Sequence, residues 1–159
     1  NDVKNPGIAN SLVVITPELG YHVSPQMSIG VAVRLGIPVG ANIEGHSTMA
    51  PGGLLRVRYA LASNGEGVRV MGQAGAGILR NTIKLDDAMA GMGDTDIVAQ
   101  GPLLVGAGVG YTKRLGGIVA FVADVSALGA IAVTKKLGSA PRLNTGFAAD
   151  FSLGFSFGF

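Results

Sequence analysis

Two histidines, no cysteine and ten carboxylates bound the acid–base, nucleophilic and metal chemistry open to this chain of 159 residues. His46 is followed by Ser47, but a Ser–His–acid hydrolytic site needs its members adjacent in space, not in sequence. Asp86, Asp87, Asp94 and Asp96 crowd one segment without the spacing of an EF-hand calcium loop. The glycine clusters at 72–77 and 106–110 lack the lysine and the following helix of a phosphate loop. These patterns predict no catalytic residue, no metal and no cofactor. The chemistry that remains is ion pairing. Arg34, Arg56, Arg58 and Arg69 as cations, Glu18, Asp124 and Asp150 as anions, and Gln73 all alternate in sequence with larger apolar residues. Charges of both signs on one enclosed face must pair, because an unpaired buried charge is costly. Guanidinium groups suit that role through bidentate bonds to carboxylates.

The elements that must hold these side chains are strands. Alternation with a period of two recurs along the chain and identifies strands with one apolar face. Seven are expected, at 11–22, 27–39, 54–62, 68–84, 98–112, 118–133 and 143–159. The second is the clearest: Met27, Ile29, Val31, Val33, Leu35, Ile37 and Val39 stand against Ser28, Gly30, Ala32, Arg34 and Gly36. Glu18, Arg34, Arg56, Arg58, Arg69, Asp124 and Asp150 fall on the face opposite the bulky apolar side chains. Pro17 and Pro102 interrupt strands one and five, and each requires a bulge or a local break.

Composition supports the same class. Charged residues make up 14% of the chain and apolar residues 48%, with 26 glycines. A soluble domain typically carries about 25% charged residues, and so much apolar content excludes disorder. A net charge of +2, with dispersed basic residues and few aromatics, argues against nucleic acid. The apolar stretch 116–134 is long enough for a membrane helix, but Asp124 at its centre disfavours one. Turns at 23–26, 63–66 and 113–116 are short, and those at 40–53, 85–97 and 135–142 are longer. Short turns at one end and long loops at the other are the pattern of an antiparallel up-and-down transmembrane β-barrel. One domain spanning 1–159 is expected.

The chain ends Phe151-Ser-Leu153-Gly-Phe155-Ser-Phe157-Gly-Phe159. This ending resembles the C-terminal assembly signal of Gram-negative outer-membrane β-barrels, with Phe151, Leu153, Phe155, Phe157 and Phe159 as its apolar positions. The whole pattern resembles the small OmpA-like and OmpX-like eight-stranded barrels. The resemblance implies insertion into the outer membrane by the barrel-assembly machinery, with outer-membrane lipid as the principal partner. It also places Phe159 at the periplasmic end. Tyr21, Tyr59 and Tyr111 then reach the same level as Phe157 and Phe159, forming a periplasmic aromatic girdle.

Even strand number, with both ends periplasmic, is the rule for such barrels. Seven strands therefore predict an eighth from upstream sequence or another chain, with residues 1–10 as an extracellular loop after it. The function expected is a non-catalytic anchor or interaction module of the cell envelope with a filled polar interior, in contact with other envelope proteins. A small pore is the alternative. A lipid-modifying enzyme and a soluble lipocalin-like carrier are the remaining readings.

Overall fold

The computed structural model describes residues 12–38, 50–83, 95–132 and 146–158. They form eight strands in one antiparallel sheet: β1 (Leu12–Ile15), β2 (Glu18–His22), β3 (Met27–Pro38), β4 (Ala50–Ala60), β5 (Gly67–Ile83), β6 (Thr95–Gly116), β7 (Val119–Ala132) and β8 (Gly146–Phe157). The order is β1-β3-β4-β5-β6-β7-β8, with β2 also paired to β3. Each strand from β3 onward pairs with the next in sequence, an up-and-down path. The sheet curls until β1 comes alongside β8, so it is a nearly closed barrel.

The expectation of seven strands, with an eighth from outside the chain, is corrected: the chain itself carries eight. The difference arises at Pro17. Ile15 pairs with Leu35 and Glu18 with Ala32, so both strands advance three residues across the interruption. No residue is inserted. The Val33 N–H still donates to the Pro17 carbonyl at 3.0 Å, and only the donor that proline lacks is missing. Pro17 thus divides one expected strand into β1 and β2 by a local break.

Pro102 is accommodated differently. Leu103 pairs with Ala76 and Gln100 with Ile78. Two residues of β6, Gly101 and Pro102, therefore stand opposite Gly77 alone, which is a β-bulge.

Three boundaries also move. Residues 50–53, expected in a loop, begin β4, although Pro51-Gly52-Gly53 is a poor strand sequence. Pairing of Gly36 with Ala50 and Arg34 with Gly52 outweighs the local preference. β5 ends at Ile83 and β6 already begins at Thr95, because residues 95–97 pair with 81–83. Lys113 and Arg114 continue β6 by pairing with Phe121 and Ala120. The turn falls later, at Gly116 and Gly117, whose φ values of 140° and 54° favour glycine. The stretch weighed as a membrane helix is mostly β7. Among the described residues no helix is long and apolar enough to cross a membrane.

Among the described residues the two faces of the sheet differ in character. Outward stand Leu19, Tyr21, Val31, Leu55, Val57, Tyr59, Val70, Val105, Val109, Tyr111, Val125 and the β8 aromatics, all exposed. Inward lie the buried alanines and leucines together with Arg34, Arg56, Gln73, Asp124 and Ser126.

Candidate functional site

The interior combines a leucine cluster with a set of charged residues, seen most simply along β4. From the end away from the short turns, its inward positions are Ala50, Gly52, Leu54, Arg56, Arg58 and Ala60. Leu54 joins Leu79, Leu104 and Leu128, each at most 2% exposed, with Ala32, Ala130 and Ala148 packed around them. On β4 this leucine cluster lies beyond Arg56 and Arg58 from the short turns, whereas on β3 Arg34 lies beyond Ala32. Leu104 sits over two glycines, Gly52 and Gly77, where an added Cβ would stand 3.2 and 3.0 Å from its Cδ1. Leu104→Ala should cost about 2–5 kcal/mol of unfolding free energy, because the tightly paired backbone beneath cannot collapse into the void. A urea-unfolding comparison in detergent micelles checks this, and a loss below about 1 kcal/mol would show a loosely packed cluster.

Beside the leucines the charged residues interlock. Arg58 donates through both Nη atoms to Glu18, with Nη2 to Oε2 at 2.6 Å. Arg56 Nη1 reaches the same carboxylate at 3.2 Å, and its Nε donates to Gln73 Oε1 at 2.9 Å. On the facing strands Arg69 holds Asp124 through Nε at 3.1 Å and Nη2 at 2.8 Å to both oxygens. Arg58 Nη2 stands 3.9 Å from Asp124 and links the two groups. Arg34 and Asp150 form a separate bidentate pair, with Nε to Oδ2 at 2.7 Å and Nη2 to Oδ1 at 2.8 Å. All eight polar residues expected on the inward face thus lie there and hydrogen-bond within it.

Glycine makes the room these groups need. A Cβ at Gly110 would collide with Asp124 Oδ1 and stand 3.0 Å from Arg69 Nε. A Cβ at Gly30 would collide with the Glu18 carboxylate. Gly110→Val should therefore push Asp124 away from Arg69 and destabilise the fold by about 1–3 kcal/mol. The unfolding midpoint checks it; a midpoint equal to that of the unaltered chain would mean the carboxylate has space to move.

On the outward face, Tyr21, Tyr59, Tyr111 and Phe157 are exposed near the short-turn end of β2, β4, β6 and β8. Phe151, Leu153, Phe155 and Phe157 form one exposed row along β8, and Phe155 meets Phe121 of β7 edge to face at 6.1 Å. Phe159 lies outside the described residues. Phe147, at the other end of β8, is exposed as well. His22 is exposed at the rim. His46, Ser47, Asp86, Asp87 and Asp94 lie outside the described residues. Among the described residues no group of three potential ligands is arranged to hold a metal.

Two features of the interior were not read from the sequence. One is the leucine cluster, although Leu54, Leu104 and Leu128 share the parity of the inward residues around them. The other is which charges pair. Arg34 on β3 meets Asp150 on β8, 116 positions away in sequence, and no spacing rule predicts that. No protein-family model matches the chain, and comparison with curated proteins and with solved structures returned no match.

Proposed function

We propose that this chain is a transmembrane β-barrel of a Gram-negative outer membrane. In this reading it acts as a non-catalytic anchor or interaction module, not as an open pore. The observation that carries the reading is the outward face. From Pro51 to Tyr59 on β4, Leu103 to Tyr111 on β6 and Phe147 to Phe157 on β8, its positions are Gly, Pro, Ala, aliphatic or aromatic, without one charge. Soluble monomers rarely expose contiguous apolar patches beyond a few hundred Å², whereas lipid requires such a surface. Eleven residues of β4 at about 3.3 Å each, tilted by roughly 40°, give a band about 25–28 Å tall. That matches the apolar band of outer-membrane barrels.

The ends of the band support the same reading. Tyr21, Tyr59, Tyr111 and Phe157 lie where an interfacial girdle belongs. Lys113 follows Tyr111 as the first charge on that face of β6, placed for its ammonium to reach water. The alternating ending of β8 favours recognition by the barrel-assembly machinery. Within the barrel, the leucine cluster beside a paired charge network favours a plug over a conducting path.

Two measurements test the proposal. Expressed with a secretion signal in a Gram-negative host, the protein should fractionate with the outer membrane and need detergent for extraction. Recovery as a soluble periplasmic monomer would overturn the membrane reading. In planar bilayers the purified protein should give no stable discrete conductance; steady unitary currents would instead support the small pore.

A further inference from the structure

The curled sheet has two edges, and they do not meet along their whole length. β1 comes alongside β8, and there Arg34 on β3 reaches across to Asp150. Past Pro17, toward the short turns, β2 and β8 stand apart. Most of β2 stays more than 8 Å from β8, Cα to Cα, whereas paired strands lie about 4.8 Å apart. Among the described residues β2 pairs only with β3, and β8 only with β7. The backbone groups on their other sides have no ladder partner there.

Exposure marks the same gap. Leu19, Val31 and Leu55 stand in one outward row across β2, β3 and β4. Leu19 at the edge is 84% exposed, against 61% and 52% for the other two. The inward row behaves alike: Gly20 is exposed, but Gly30 and Arg56 beside it are buried. On β8, inward Ser156 is exposed while its partner Ala120 is half-buried. A notch thus opens at the short-turn end, between β2 and the Phe151–Phe157 half of β8. Natural edge strands are blunted by charges, proline or bulges. Phe151 to Phe157 hold no charge and no proline, and their ladder with β7 runs without a register shift.

Strand direction limits what fills the notch. Each strand from β2 to β8 is antiparallel to the next, so β2 and β8 both run toward the short turns. A strand between them runs the other way and is antiparallel to both. A second copy in the same orientation offers only edges that run parallel to these. Lipid tails offer no N–H or C=O. Residues 1–11 join β1 at its far end, at Leu12. The five residues of β2 are about half of a spanning strand, so the notch takes the end of an extended segment, not a further barrel strand.

We infer that the notch between β2 and β8 accepts an extended segment of another polypeptide, which enters from the short-turn end and adds to both edges by β-augmentation. Its inward residues are small, beside Gly20, Gly154 and Ser156, and its outward ones apolar, beside Leu19, Tyr21 and Phe155. Proline is excluded, because it lacks a ladder donor. The inference rests on the two edges and holds whether or not the outward face meets lipid.

β3 supplies a probe, because residues 27–33 (Met-Ser-Ile-Gly-Val-Ala-Val) already run antiparallel to β2 with that alternation. A synthetic peptide of this sequence, added to the purified full chain in detergent, should slow amide exchange in β2 and in Phe151–Phe157 by about tenfold or more. The same peptide with Ile29→Pro and Val31→Pro should not. Orientation is read by disulfide formation in air, since the chain has no cysteine of its own. With Ser156→Cys in the protein, the peptide should couple through a cysteine added at its N-terminus and not at its C-terminus. Should that variant fail to fold, exchange in the unaltered chain decides. Exchange unchanged by the peptide, protection by the proline peptide as well, or equal coupling at both ends overturns the inference.

Discussion

Asp150→Asn is expected to lower the unfolding free energy by about 3–5 kcal/mol, among the largest effects of any single substitution in this chain. Arg34 is 1% exposed, and Asp150 is its carboxylate partner among the described residues. Asparagine keeps the shape and removes the charge, so the guanidinium is left buried without compensation. The pair also has an architectural role. Arg34 stands on β3 and Asp150 on β8, strands that are not ladder neighbours; β1 lies between them. Their two hydrogen bonds span the place where the curled sheet meets itself, and no backbone ladder joins β1 to β8 among the described residues. The double variant Arg34→Met with Asp150→Leu should recover most of the loss, because removing both charges also removes the unpaired one. Urea unfolding of the single and double variants gives the coupling directly. If Asp150→Asn costs under about 1 kcal/mol, the pair does not hold the sheet ends together.

Leu55→Arg should have a comparable effect, but only in a membrane. Leu55 is on the outward face, 52% exposed, near the middle of the uncharged band. In water, a surface substitution of this kind usually changes stability by no more than about 0.5 kcal/mol. At the midplane of a bilayer, an outward arginine on a barrel costs about 2–4 kcal/mol, falling to about 0–1 near the interfaces. Refolding into phospholipid vesicles should therefore show a large loss for Leu55→Arg and a small one for Tyr111→Arg at the girdle. Equal, small losses at both positions would remove the support for lipid contact. The contrast between depths matters more than either value, because a general folding defect would not vary with position along the strand.

Much of the barrel is legible in the sequence because the side-chain period of a strand is two. Val31 and Val33 outward with Ala32 and Arg34 inward follow from that parity alone. So does the placement of Glu18, Arg56, Arg58, Arg69, Gln73, Asp124 and Asp150 on one enclosed face. Strand ends were less legible, since Pro51-Gly52-Gly53 reads locally as a loop and becomes β4 only because β3 and β5 pair with it. Proline required a departure from the ladder at two places without saying which kind. Register decided: Pro17 keeps it, and Pro102 shifts it.

By itself, then, the sequence determined the all-β class, the division into two faces and the membership of the charged interior. Those properties depend on each residue's neighbours along the chain. Only the tertiary structure decided the pairings and the leucine cluster packed beside them. Those depend on register and curvature, which bring Arg34 to Asp150, Arg69 to Asp124 and Glu18 to two arginines at once. A carboxylate shared between Arg56 and Arg58 has no signature in spacing; it exists because a nearly closed sheet points strands distant in sequence at the same small volume.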